Sequence, residues 1–177
     1  MLKRLKLALF ETSNENSMKK LIVREVSKLD ETAFLSIRNH PDNYKWFFNS
    51  SKISVEEHRD CFHARILNMQ FFTLVAEIDN EVVGMAYIID ATHLSPRISI
   101  GIKPSSSSSG VGTKLLSELV LRAKIRGIAS LTAEILTTNS ISIRFFSKSG
   151  FSLESESNSF DKTKKQEVVY LSLNLTN

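Results

Sequence analysis

Between Ile98 and Phe151 the residues come in an order that few folds accommodate. Ile98-Ser-Ile-Gly-Ile102 has the character of a short strand. Lys103-Pro104 and the run Ser105 to Ser109 follow, then Gly110-Val111-Gly112, and Leu115, Leu116, Leu119 and Ala123 recur at helical spacing. A strand that feeds a glycine loop and opens a helix presents main-chain N–H groups at the helix N-terminus, where the helix dipole also favours an anion. Gly127 ends this helix, and Asn139 is followed eleven and twelve residues later by Gly150-Phe151. A Gly-x-Gly pair alone also serves ordinary strand-to-helix turns, so the signal lies in the whole series.

The 177 residues are enough for one domain with a sizeable core. Hydrophobic residues make up 42% and charged residues 24%, as in a globular protein, and no apolar run nears the roughly 20 residues that cross a bilayer. Cys61 is the single cysteine, which excludes an internal disulfide, fits a reducing cytoplasm and leaves no structural metal site at zinc spacing. The net charge of +4 is scattered along the chain. That suits a phosphate-bearing ligand and gives no basic stripe for nucleic acid. No membrane partner is expected, and the chain is read as a monomer or homodimer.

Residues 1–17 read as an N-terminal extension and 18–177 as the folded domain, whose first strand starts near Met18. Asp30 is placed to cap a helix through Phe34, Leu35 and Ile37 that stops at Asn39-His40-Pro41. A loop with Tyr44, Trp46, Phe47 and Phe48 leads to Ser54 and Glu57, a capping-box pair opening a helix through His58, Cys61, Phe62 and Ile66. Phe71 to Ile78 and Val82 to Ile89 are strands of a hairpin turning at Asp79-Asn80-Glu81. After the loop helix come a strand over Leu131 to Leu136 and a helix over Ser140 to Lys148. Phe151 to Leu153 and Val168 to Leu175 then pair across the polar span Glu154 to Gln166.

The series from Ile98 to Phe151 resembles the GNAT family of acyl-CoA-dependent N-acyltransferases. The resemblance implies an α/β (α+β) domain with one mixed sheet of about six or seven strands and about four helices. It also implies acetyl-CoA as acyl donor, with the CoA pyrophosphate on the amides of Ser107, Ser108, Ser109, Gly110, Val111, Gly112 and Thr113. Main-chain groups of Ile100 and Ile102 would bind the pantetheine arm and polarise the thioester carbonyl, and Asn139 would contact the arm. Relatives carry Gln or Arg where this chain has Ser107, which leaves Lys103 or Lys114 as substitute cations. Many place a tyrosine acid where this chain has Phe146, which is assigned to the donor site without an acid's role. The position often occupied by a glutamate base is Ser99, so Glu77, Asp90, His58 and His93 are the titratable candidates, with His58 preferred. A water relay or an acceptor amine of low pKa would also serve.

The segments around Arg38-Asn39, Lys45-Trp46-Phe47-Phe48 and Ile53 to His58 resemble GNAT enzymes that acetylate nucleotide-linked amino sugars. Trp46, Phe47 and Phe48 would stack on a base or sugar while Arg38 and Asn39 bind polar groups, Arg38 gripping the diphosphate. The same aromatic cluster equally fits a core position. Two other readings stay open: acetylation of a protein amino terminus or lysine, and an idle acyl-CoA-binding module.

Overall fold

The computed structural model of the protein describes residues 20–47, 50–67, 72–89, 96–154, 159–161 and 166–176. The expected extension, the strand start at Met18, Phe48, Phe71, Asp90 and His93 lie outside them. The described strands form one sheet: β1 (Leu21–Glu25), β2 (Thr73–Ile78), β3 (Glu81–Ile89), β4 (Arg97–Ile102), β5 (Ser130–Leu136), β6 (Ser152–Leu153), β7 (Ser159–Asp161) and β8 (Gln166–Asn174). Their order is β1-β2-β3-β4-β5-β8-β6, and β7 also pairs with β8. Because β6 and β7 lie on successive stretches of β8, they fill one sheet position in two pieces, giving seven positions. All neighbours are antiparallel except β4 and β5.

Four helices cover the two faces: α1 (Glu31–Asn39), α2 (Val55–Leu67), α3 (Val111–Ile125) and α4 (Ser140–Lys148). Strand alternation sorts the apolar residues between them. Leu74, Ala86, Ile98, Leu131, Ala133 and Ile135 pack with Leu115 and Leu119 of α3 and with Phe146 of α4. Val75, Met85 and Tyr87 face the other way, onto Phe34 and Ile37 of α1 and Phe62 of α2. Gly84 is required for the first contact, since a Cβ there would lie 2.9 Å from Leu115 Cδ1 and 3.0 Å from both Ile102 Cδ1 and Val111 Cγ1. Among the described residues no helix is long and apolar enough to cross a membrane.

The hairpin turn is tighter than expected. Asp79 and Asn80 alone make it, at φ of 52° and 64°, and Glu81 already belongs to β3. Two left-handed residues form the turn whose twist matches that of paired strands. Ser54 Oγ does accept the Glu57 N–H at 3.1 Å. Asp30 begins α1 but makes no side-chain cap to it. Its carboxylate accepts instead from the Ser27 N–H at 2.7 Å and from both ends of the Arg24 guanidinium at 2.8 and 2.9 Å. Arg24 holds the Asp30 carboxyl below the usual range, and its Nε also donates to Glu77.

His58 is a correction to its expected role as base. The residue is only 4% exposed, its ring packs between Phe34 and Phe62, and Nε2 lies 3.0 Å from the Glu31 carbonyl. A carbonyl can only accept, so Nε2 carries a proton. The ring joins α2 to the start of α1. Burial pushes its pKa below the ordinary value, against the Glu31 hydrogen bond and charge, while Arg65 and Arg38 add to the lowering. The unfolded ring titrates near ~6.5, so His58 contributes stability fully above that pH and loses it as pH falls through the lower folded value. Urea unfolding should therefore show stability falling from pH 7 to pH 5. His58→Gln, which keeps a donor for Glu31, should flatten that slope; an unchanged slope would contradict the account.

Candidate functional site

The central feature is a gap between β4 and β5. The Lys103 N–H donates to the Val83 carbonyl at 2.8 Å, so by alternation residues 99 and 101 also turn their main-chain groups to β3. Ile98, Ile100 and Ile102 turn theirs toward β5. There the only register pair is Arg97 with Thr132, whose N–H donates to the Pro96 carbonyl at 3.0 Å. Past that bridge the ladder stops, and the strands diverge toward the C-terminal end of β4. Asn43 Nδ2 donates to the carbonyls of Ile102 and Ile37, each at 2.9 Å. This ties the end of α1 to the lip of the gap. It leaves the Ile100 N–H and C=O and the Ile102 N–H without ladder partners on the β5 side.

At the wide end β4 runs into the serine loop. Ser106 and Ser107 spend their N–H groups on the Lys103 and Pro104 carbonyls at 2.8 and 3.1 Å, so Ser107 does not belong to the expected set of amides. Ser108 and Gly110 then take φ of 63° and 83°. Left-handed residues in a turn make successive N–H groups converge on one concave spot. The first rung of α3 is the Lys114 N–H to the Gly110 carbonyl at 3.0 Å. The amides of Ser108, Ser109, Gly110, Val111, Gly112 and Thr113 thus have no acceptor among the described residues. A Cβ on Gly112 would stand 3.4 Å from Phe145 Cε2 and 3.9 Å from Ile102 Cγ1, so α3, α4 and β4 meet at this glycine. Lys103 and Lys114 are already engaged by carboxylates, Glu81 and Glu118 respectively.

Asn139 caps α4, its Oδ1 accepting the Ser142 N–H at 3.1 Å. Its Nδ2 has no acceptor among the described residues. Phe146 is 7% exposed, edge-on to Phe145 and Phe151 with centroids 5.1 Å away in each case. It is a core residue and brings no proton donor.

The expected acceptor residues are used mostly inside the fold. Arg38 is buried, its guanidinium 4.5 Å above the Phe47 ring, and desolvation lowers its pKa. Phe47 in turn packs where a Cβ of Gly101 would sit, 3.0 Å from its Cζ. Asn39 clamps the loop before α2, exchanging both hydrogen bonds with the Ile53 main chain at 2.8 and 3.0 Å. Only Trp46, 40% exposed under Lys45, faces solvent as a stacking surface would.

Glu134 and Arg97 were not among the residues singled out from the sequence. Gly101 faces α1, so Ser99 and Arg97 share that face; Leu131, Ala133 and Ile135 pack on the opposite side, so Thr132 and Glu134 join Arg97. Arg97 Nη1 donates to Glu134 Oε2 at 2.9 Å, with the Glu134 side chain 4% exposed and that of Arg97 44%. The pair spans the narrow end of the gap.

The profile of the acetyltransferase (GNAT) family matches residues 31–151. Among solved structures, ribosomal-protein-alanine N-acetyltransferase from Brucella melitensis is 22% identical, with TM-score 0.74 over 86% of this chain and 99% of that one. The yncA protein of Salmonella typhimurium, solved with its cofactor acetyl-CoA, is 24% identical, with TM-score 0.75 over 89% and 95%. Spermidine N-acetyltransferase from Vibrio cholerae, in complex with CoA and spermine, is 16% identical, with TM-score 0.76 over 88% and 95%. These likenesses are of fold. With the family match covering well over half the sequence, an open β4 edge and a glycine loop at its end, the chain belongs to the acetyltransferase (GNAT) family, whose acyl donor is acetyl-CoA.

Proposed function

We propose that this protein transfers the acetyl group of acetyl-CoA to a primary amine on a small molecule, with residues 18–177 as the acyltransferase unit, working in the cytoplasm. The observation that carries the reading is the unbroken series of unpartnered amides from Ser108 to Thr113, continuous with the open edge of β4. The loop amides and the α3 N-terminus would hold the pyrophosphate. Ile100 and Ile102 would bind the amide groups of the pantetheine arm as a missing strand does, and Asn139 Nδ2 would add a donor from the far wall.

An arm lying along β4 from the loop ends near Ser99, where the strands close. Glu134 stands across the gap there and is assigned the proton of the acceptor ammonium. When bound, acetyl-CoA supplies a thioester whose C–S bond breaks as the new C–N bond forms. The Ile100 amide would stabilise the developing oxyanion. No tyrosine hydroxyl stands at position 146, so sulfur leaves as thiolate and takes the proton released by the acylated nitrogen.

A nucleotide-linked amino sugar is the finer acceptor reading. Its remaining support is the exposed Lys45–Trp46 pair, a cation beside a stacking surface. Release of free CoA across amino-sugar nucleotides, polyamines, amino acids and peptides tests acceptor class directly, and release with none of them would contradict the enzyme reading.

Gly112→Val should weaken CoA binding at least about tenfold, because the branched side chain fills the space between Phe145 and Ile102 that the arm must cross. Calorimetry showing wild-type affinity in a folded variant would remove the site assignment. Ser107→Arg, adding a cation beside the amides, should tighten CoA binding and make it fall more steeply with salt. Unchanged affinity and salt slope would show that position 107 does not face the phosphates.

A further inference from the structure

We propose that the acceptor is an amino acid-type zwitterion, its carboxylate gripped by Arg97 and its ammonium by Glu134. This rests on the reading of the β4–β5 gap as the acetyl-transfer centre and specifies what enters it from the α1/α2 side.

The charges on that face carry the inference. Arg97 and Glu134 project side by side at the bridge where the gap closes, 2.9 Å apart, the carboxylate almost wholly buried and the guanidinium nearly half exposed. Arg65 covers the same face, its guanidinium 3.8 Å over the ring of Tyr87, which pairs on β3 with Ser99 of β4. Glu154 reaches the Thr132 hydroxyl at 3.5 Å from the β6 side. A carboxylate and a guanidinium in contact present adjacent negative and positive poles. An acceptor carrying only a cation would meet the like charge of Arg97 as it approached Glu134. One carrying ammonium and carboxylate on the same or neighbouring carbon atoms matches both poles, and the planar guanidinium suits a carboxylate. The short Arg97–Glu134 separation sets that spacing, and it excludes an anion placed far from the amine.

The decisive experiment measures CoA release with acetyl-CoA and each of the twenty L-amino acids, their amides and the corresponding decarboxylated amines. It uses wild type, Arg97→Gln and Arg97→Lys. A second readout is calorimetric binding of the same compounds in saturating CoA, where no acetyl group can move. The expected result is that one or more free amino acids are acetylated, with kcat/KM falling roughly 10- to 100-fold for the amide or amine, the range of a charged hydrogen bond. Arg97→Gln should raise KM and weaken acceptor binding by a similar factor while closing the gap between acid and amide. Arg97→Lys should keep part of the preference, and CoA affinity, which reports folding, should hold in both. Equal or better turnover of compounds without a carboxylate, or equal losses for acid and amide in Arg97→Gln, would overturn the zwitterion assignment and leave acetyl transfer standing. Acetylation of no amine of any kind would overturn both.

Discussion

The whole site depends on two strands parting after one hydrogen-bonded bridge. Parallel strands that stayed together would satisfy Ile100 and Ile102 against β5, as Thr132 and Pro96 do at the bridge. Packing covers the strands beside the gap on both faces. Phe47 and Ile37 press on Gly101 from one side, while Val111 and Leu115 occupy the space over Gly84 on the other. Glycine at both positions lets helices approach β3 and β4 closely without closing the wedge. The Asn43 amide then pins the Ile102 carbonyl, so the lip cannot fold back onto β5. A strand edge normally invites another strand, and in the proposed reading this one takes an extended ligand arm instead.

The phosphate end of the proposed donor site is built from main chain. Six amides and the dipole of a 15-residue helix converge at the loop, while Lys103 and Lys114 are held by Glu81 and Glu118. Serine at position 107 leaves that cradle neutral in its side chains. An anion bound there as proposed would be held through geometry, so its affinity would depend on Ser108 and Gly110 keeping their left-handed conformations. The proposed acceptor end is built the opposite way, from the charged side chains of Arg97 and Glu134 brought into contact.

What the sequence made legible was local. The strand, glycine loop and α3 all lie within short spans whose periodicity and turn chemistry state their own structure. Ser107 drops out of the set of open loop amides because its N–H closes a tight turn on Pro104, which spacing alone does not reveal. Arg38, Asn39 and Phe47 look like ligand residues by type, yet tertiary packing uses each to fix the loop between α1 and α2. His58 fails as a base for the same reason, since burial against Phe34 and Phe62 shows only when α1 meets α2. Arg97 and Glu134 stand 37 residues apart, and only the β4–β5 register makes them partners. An acidic residue midway along a mostly apolar strand was the one available signal.

The central claim is that the open β4 edge and the loop amides form one continuous donor site. Amide chemical shifts of 15N-labelled protein titrated with CoA test it most directly. The account predicts that the largest shifts fall on Ser108 to Thr113 together with Ile100 and Ile102, while Ser107 and Gly101, whose N–H groups are spent within the fold, move less. Saturation with CoA that leaves the Ile100 and Ile102 amides unshifted, or that shifts a different surface, would contradict it.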